Sequence, residues 1–179
     1  MNIFVGCSSR DEIPSLYIDE CNNVLDKLFS YKYKLVFGAC GKGLMGTSYN
    51  NALKHNCEII GIYPSVYEDE ARELEGQKIV VNTVSERTDK VVGESDILLF
   101  LPGGIGTIYE LLTAIESKRA NEHNKAILVY NCFGFYDNLL MQLEKMYDEL
   151  FMSDKDKKTY LVFDDSEKLI DYINKSIWK

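Results

Sequence analysis

The sequence predicts an α/β fold of the Rossmann type, a doubly wound parallel sheet of about seven strands with helices on both faces. Short, continuously apolar runs such as Ile97-Leu98-Leu99-Phe100-Leu101 recur along the chain, as strands buried on both faces require. Longer amphipathic segments alternate with them, which is the pattern of strand–helix–strand units. The glycine-rich turn Pro102-Gly103-Gly104-Ile105-Gly106-Thr107 stands between one apolar run and one helical segment, where such sheets bind ligands.

Taken in order, Ile3-Phe4-Val5 predicts the first strand. Over 14–29, Leu16, Val24, Leu25 and Leu28 fall near helical spacing and predict a helix. Residues 34–37 predict the second strand, and a glycine cluster leads from it into a helix over 44–55. The third strand is expected over 58–63 and the fourth over 79–81, followed by a polar helix over 86–94. The fifth strand, 97–101, feeds a helix over 106–119. A sixth strand over 126–130 precedes a long helix over 136–151. Residues 160–163 predict the last strand and 166–177 a closing helix. The polar stretch 153–158 reads as an exposed loop. No repeat, low-complexity tract or Pro/Gly/Ser linker interrupts the pattern, so 1–179 reads as a single Rossmann-like domain.

Hydrophobic residues make up 46% of the chain and charged residues 27%, which is globular composition rather than that of a disordered segment. The net charge of −8 disfavours a nucleic-acid backbone or an anionic membrane as partner, while leaving a phosphorylated small molecule open to a few local donors. The longest apolar run is too short to span a bilayer. The five cysteines (Cys7, Cys21, Cys40, Cys57 and Cys132) are scattered with no CxxC pair, as expected of reduced, mostly buried thiols. With no signal-peptide pattern at Met1-Asn2-Ile3-Phe4, the expectation is a cytoplasmic protein. His55 and His123 are isolated and expected at the surface, and no metal-ligand cluster is visible.

The unusual residues fall in the loops after strands one, two, four and five. After strand one, Gly6-Cys7-Ser8-Ser9-Arg10 offers small residues and hydroxyls. After strand two, Gly41, Gly43 and Gly46 formally satisfy G-x-G-x-x-G. The dinucleotide fingerprint also needs an acidic residue at the end of the next strand, but that strand ends in Ile62-Tyr63-Pro64. An NAD site is therefore disfavoured. Gly41-Lys42 also lacks the upstream glycine and the following Ser or Thr of a Walker A loop. What remains is close backbone approach, to a ligand or to another strand.

After strand five, Gly103, Gly104 and Gly106 have no Cβ, so their N–H groups can converge on an anion at the positive end of the following helix. Thr107 can donate from its hydroxyl. Glu110 lies about one turn further on. Thr107-x-x-Glu110 fits a capping box as well as a site carboxylate, and spacing does not separate the two. Arg87 opens the helix after strand four. In a simple wound order that strand neighbours the fifth, which would bring Arg87 to the same mouth. A solvent-exposed helix arginine is the alternative.

Together these loops resemble the LOG family, the cytokinin-activating nucleoside-monophosphate phosphoribohydrolases, many of which carry an older label as lysine decarboxylases. The family's P-G-G-x-G-T-x-x-E stands complete from Pro102 to Glu110, and the resemblance extends to Gly6-Cys7-Ser8-Ser9, to the Gly-Leu-Met-Gly of Gly43 to Gly46, and to Phe135-Tyr136-Asp137. The family's Met-x-x-Arg-Lys keeps only Arg87, with Val84 and Thr88 replacing methionine and lysine, and Ala39 and Cys40 stand where glycines are usual. The resemblance implies hydrolysis of the N-glycosidic bond of a nucleoside 5′-monophosphate, AMP or an N6-modified relative, to free base and ribose 5-phosphate. It implies Arg87 and Glu110 as the catalytic pair. It implies Gly103, Gly104, Gly106 and Thr107 on the phosphate and Ser8, Gly41 and Met45 beside the substrate, with no cofactor or metal and a homodimeric assembly. An apolar stripe at Tyr109, Leu112 and Ile115 would suit an interface or the core equally. A carrier of a nucleotide or of the molybdenum cofactor on the same fold is the alternative. A literal decarboxylase is disfavoured, because the one lysine in these loops, Lys42, sits in a glycine turn rather than an apolar pocket.

Overall fold

The computed structural model describes residues 1–71, 73–153 and 155–175. Among them, seven strands form one parallel sheet: β1 (Asn2–Gly6), β2 (Lys34–Phe37), β3 (Ile59–Pro64), β4 (Gln77–Val81), β5 (Ile97–Phe100), β6 (Ala126–Tyr130) and β7 (Leu161–Phe163). The helices are α1 (Ser15–Ser30), α2 (Gly43–Lys54), the short α3 (Glu68–Ala71), α4 (Val84–Glu94), α5 (Ile105–Arg119), α6 (Asp137–Asp148) and α7 (Ser166–Lys175). The end of the closing helix expected at Ile177 lies outside the described residues. Among the described residues no helix is long and apolar enough to cross a membrane.

The strands are apolar on both sides because both sides are covered. Ile3, Val5, Leu35, Phe37 and Leu99 face one core with Val24, Leu25 and Leu28 of α1, Leu44 and Ala52 of α2, and Leu169 and Ile173 of α7. Phe4, Val36, Ile60, Leu98 and Phe100 face the other, with Val91 of α4, Leu111 and Ile115 of α5, and Tyr136. Only the edge strands break the rule. Gln77 and Lys78 of β4 and Leu161 and Val162 of β7 are exposed. The strand order is β4-β3-β2-β1-β5-β6-β7, so the direction of winding reverses between β1 and β5. Ligands bind at such a switch point, outside the carboxyl ends of the strands.

This order corrects one expectation. β4 is an edge strand and does not neighbour β5. Arg87 still reaches the centre of the sheet, because α4 runs back from the edge across β3, β2 and β1. Its start is set by Thr83, whose hydroxyl accepts from the Glu86 amide at 3.1 Å, while the Glu86 carboxylate accepts from the Asn82 amide at 2.8 Å.

Other expectations shift at their edges. α6 ends at Asp148, short of Phe151, because Leu150 takes a left-handed conformation (φ 66°). The polar stretch 153–158 is not simply exposed. Asp156 is buried and accepts from the Ser153 amide at 2.7 Å and hydroxyl at 2.8 Å, opening a 3-10 turn over Asp156–Lys158. The histidines are half-buried and engaged. His55 Nε2 lies 2.7 Å from Asp26, and His123 Nε2 lies 3.0 Å from the Ala114 carbonyl.

Candidate active site

Four strand ends meet at the switch point, and hydrogen bonds tie their loops together. The Ser8 amide donates to the Pro102 carbonyl at 3.1 Å, and the Met45 amide donates to the Ser8 carbonyl at 3.0 Å. Asp11 accepts from the Gly43 amide at 2.8 Å. Gly43 has φ 55°, and a Cβ there would stand 2.5 Å from the Arg10 carbonyl oxygen, so only glycine fits against the β1 loop. A Cβ on Gly46 would stand 2.3 Å from the Gly41 carbonyl oxygen. Gly43 and Gly46 are therefore required for backbone packing, within the loop and against the β1 loop rather than against a strand.

The loops enclose a cavity of about 430 Å³, lined by Ser8, Ser9 and Arg10 after β1, Gly38, Ala39, Cys40 and Met45 after β2, Tyr67 after β3, Arg87 of α4, and Gly104, Ile105, Gly106, Thr107 and Glu110 of α5, with Cys7 behind them. Of the residues expected at the site, Ser8, Met45, Arg87, Gly104, Gly106, Thr107 and Glu110 come together on its wall. Gly41 and Gly103 do not line it. A Cβ on Gly103 would stand 2.1 Å from the Thr107 hydroxyl, so this glycine lets the turn close under the helix, whereas Gly104 and Gly106 have nothing within 4 Å of their Cβ positions and face open space. Tyr67 was not legible as a site residue: a single aromatic after the third strand carries no pattern, and only the rule that ligands gather at strand ends points to it.

α5 begins with Gly104 as its N-cap and has no side-chain cap. Its first N–H groups have no intrahelical acceptor and open on the cavity at the positive end of the helix. Thr107 is the third helical residue rather than the cap, and Glu110 is the sixth, so the two do not form a capping box. Glu110 is buried and instead accepts from the Arg87 guanidinium. The side chains of Arg87 and Glu110 are 12% and 4% exposed, so Arg87 is not a surface arginine. Its burial pushes its pKa down from the usual arginine value, and the neighbouring Tyr67 and Tyr109 oppose the shift. The Arg87 Nε is buried with no acceptor among the described residues, an unusual state for a buried donor and one that occurs at functional sites. Thr88, at the position of the family's lysine, is buried and bonds its own helix at the Val84 carbonyl (3.1 Å), so it supplies nothing to the cavity.

Burial pushes the Cys7 thiol up to about 12, which keeps it protonated and unreactive. Among the described residues no cluster of His, Cys, Asp and Glu could hold a metal ion. A larger open groove of about 710 Å³ lies at the opposite end of α5, between Arg119, Phe151 and Lys155. Among the described residues that line it the carboxylate is Asp156, which accepts from Ser153, and the ion pair at its wall, Arg119–Glu116, is exposed rather than buried.

Comparison with known proteins gives relatives in sequence and neighbours in fold. The sequence profile of a family described as "Possible lysine decarboxylase" matches residues 45–173. The cytokinin riboside 5′-monophosphate phosphoribohydrolase LOG2 of Arabidopsis thaliana is 28% identical over 191 residues, covering 98% of this chain and 89% of its own length. LOG3 of the same plant is 32% identical over 155 residues, covering 84% and 71%. Among solved structures, the molybdenum cofactor carrier protein of Chlamydomonas reinhardtii superposes with a TM-score of 0.73 at 17% identity, covering 99% of this chain and 98% of its own. The molybdenum cofactor binding protein of Rippkaea orientalis does so with a TM-score of 0.71 at 21% identity, covering 98% and 96%. At those identities the structural likeness establishes the shared fold alone.

Proposed function

The chain belongs to the LOG family, and from that membership we propose that it hydrolyses the N-glycosidic bond of a nucleoside 5′-monophosphate, AMP or an N6-modified AMP, to free base and ribose 5-phosphate. The observation that carries this reading is the buried Arg87–Glu110 pair on the wall of a cavity that also holds the uncapped amino terminus of α5.

The chemistry follows from those groups. The 5′-phosphate is bound by the free N–H groups of α5, with Gly104 and Gly106 leaving room for its oxygens and Thr107 donating from its hydroxyl. Ser8 lies across the cavity on the β1 loop. Anchored there, the nucleotide brings C1′ towards Glu110, which removes much of the entropic cost of reaching the reactive geometry. As the C1′–N bond lengthens, positive charge grows on the ribose, and the Glu110 carboxylate stabilises it. The same carboxylate orients a water and takes its proton as the oxygen bonds to C1′. The base leaves with the bonding electron pair and takes up a proton from solvent at its ring nitrogen, and Glu110 gives the water's proton back to solvent, so that one water is consumed. Arg87 holds Glu110 in place and offsets the negative charge that develops on the departing base.

We place a second copy of the chain against the exposed apolar stripe of α5, formed by Ile105, Tyr109 and Leu112 at helical spacing beside the cavity. Ile115, which the sequence grouped with that stripe, is buried in the core.

The test is a product assay. Purified protein is incubated without added metal with AMP, GMP, CMP, UMP and N6-isopentenyl-AMP, and free base is followed by chromatography. Release of base from a monophosphate, but not from the matching nucleoside, supports the hydrolase. Saturable binding with no release from any of them overturns it in favour of a carrier.

A further inference from the structure

The cavity has a far end that the chemistry above leaves without a role. Its walls follow the strand order: Thr107 and the α5 amino terminus after β5, Ser8 to Arg10 after β1, Gly38 to Cys40 after β2, and Tyr67 after β3. From β5 to β3 is three strand spacings, about 14 Å. The helix N–H groups lie at the β5 end, and the Arg87–Glu110 pair, carried by α4 and α5 on one face of the sheet, stands beside them, with an Arg87 terminal nitrogen 3.4 Å from the Cβ position of Gly38. A nucleotide with its phosphate in the α5 cup and C1′ beside Glu110 extends its base towards β2 and β3.

That end is lined by Gly38, Ala39, Cys40, Met45 and Tyr67, none of which carries a carboxylate, amide or ammonium group. Its side-chain means of reading the hydrogen-bonding edge of a base are few: the Arg87 guanidinium beside Gly38, which Glu110 already engages, the Tyr67 hydroxyl and the Cys40 thiol. It has instead polarisable sulfur and one large ring. Tyr67 closes a 3-10 turn, Ser65–Tyr67, that starts directly from Pro64 at the end of β3, so the ring is carried by a short, stiff connection. It is 45% exposed and within electrostatic reach of Arg87. Among the described residues it stacks on no other aromatic ring.

We propose that Tyr67 binds the nucleobase by stacking on its π face, and that this site selects monophosphates by phosphate and base face rather than by base edge. The proposal rests on the cavity being the nucleotide site argued above. Every base has a π face, so stacking tolerates base identity, whereas a site built on edge hydrogen bonds rejects the wrong group by roughly 10⁴-fold. AMP and GMP are therefore expected to bind within about tenfold of each other.

The deciding experiment is calorimetric titration of the full chain with AMP, GMP and ribose 5-phosphate, in the wild type, Tyr67→Ala and Tyr67→Phe, run beside the product assay. Thermal melts check that the variants fold. Tyr67→Ala is expected to weaken AMP and GMP alike by roughly tenfold or more, with ribose 5-phosphate unchanged, and Tyr67→Phe to recover most of the loss. Equal effects on the nucleotides and on ribose 5-phosphate, no effect on any of them, or a wild-type preference between AMP and GMP above about a hundredfold would overturn the proposal. A wild type that binds nucleotides yet releases no base would defeat the hydrolase reading alone, since the same titrations still decide the role of Tyr67.

Discussion

The Arg87 guanidinium donates to the Glu110 carboxylate although the helices that carry them follow strands four places apart in the sheet. The contact exists because α4 doubles back across three strands before α5 begins. Both side chains are largely removed from water. Such a pair adds little net stability relative to apolar residues of similar size, yet losing one partner strands a buried charge. Arg87→Met and Glu110→Leu are each expected to lower unfolding stability by about 3–5 kcal/mol. The double variant should recover most of that loss. Denaturant unfolding of the four proteins gives the coupling energy, and simple additivity would show that the two charges do not depend on each other.

Glu110→Gln keeps the shape of the side chain and an oxygen for Arg87 to donate to, but removes the charge and the base. Turnover of AMP is expected to fall by at least roughly a hundredfold, with affinity for AMP changed little. Because Thr107 lies inside α5 and Gly104 is its cap, Glu110 has no capping role through which the substitution would act. Single-turnover kinetics alongside equilibrium binding separate the two effects.

Much of this site is readable in the chain, for physical reasons. Strands covered on both faces must be continuously apolar, so β1, β5 and β6 announce themselves. The glycine-rich turn between an apolar run and a helical segment announces an open helix amino terminus, and Gly104 and Gly106 do line a cavity there. The position of β4 is not readable, because alternating strand and helix say nothing about which strands become neighbours. The end of α6 is hidden because Leu150 adopts φ 66° with no glycine or proline to mark it. The embedding of His123 is hidden because its acceptor, the Ala114 carbonyl, belongs to an earlier helix.

The three glycines of the turn should separate into two kinds. Gly103→Ala places a methyl against the Thr107 hydroxyl, at 2.1 Å, and is expected to cost roughly 1–3 kcal/mol of stability. Gly104→Ala and Gly106→Ala meet nothing in the protein and should leave the melting temperature close to that of the wild type. Both nevertheless push a methyl towards the proposed phosphate position. Affinity for ribose 5-phosphate should drop several-fold or more in these two, and a loss of stability without a loss of affinity would place the phosphate elsewhere.

Assembly through α5 makes its own demand. Leu112 is 39% exposed on the stripe and lies outside the wall of the cavity that holds Arg87 and Glu110. Leu112→Glu should convert a wild-type dimer into a folded monomer in light scattering, because an unpaired charge would have to be buried at the centre of the contact. A monomeric wild type, or a variant that stays dimeric, would remove α5 as the interface.

Acidification should weaken the fold through His123. Its Nε2 lies 3.0 Å from the Ala114 carbonyl and its Nδ1 3.2 Å from the Lys125 amide, so the neutral ring donates at one nitrogen and accepts at the other. Protonation would set two N–H groups against each other at Nδ1. Burial, reinforced by the nearby Lys118 and Lys125, lowers its pKa below 6.5, against the pull of the Ala114 hydrogen bond and Glu122. The unfolded chain therefore takes up this proton first. The contribution of His123 is complete above about pH 6.5 and is lost as pH falls through the lower folded value. Paired carboxylates such as Asp26 and Glu58 also favour the fold at higher pH, but their lowered values place that effect below pH 4.5. Between pH 7 and 5 the melting temperature should thus fall more steeply in the wild type than in His123→Gln. Parallel profiles would mean that the ring titrates equally in the folded and unfolded chains.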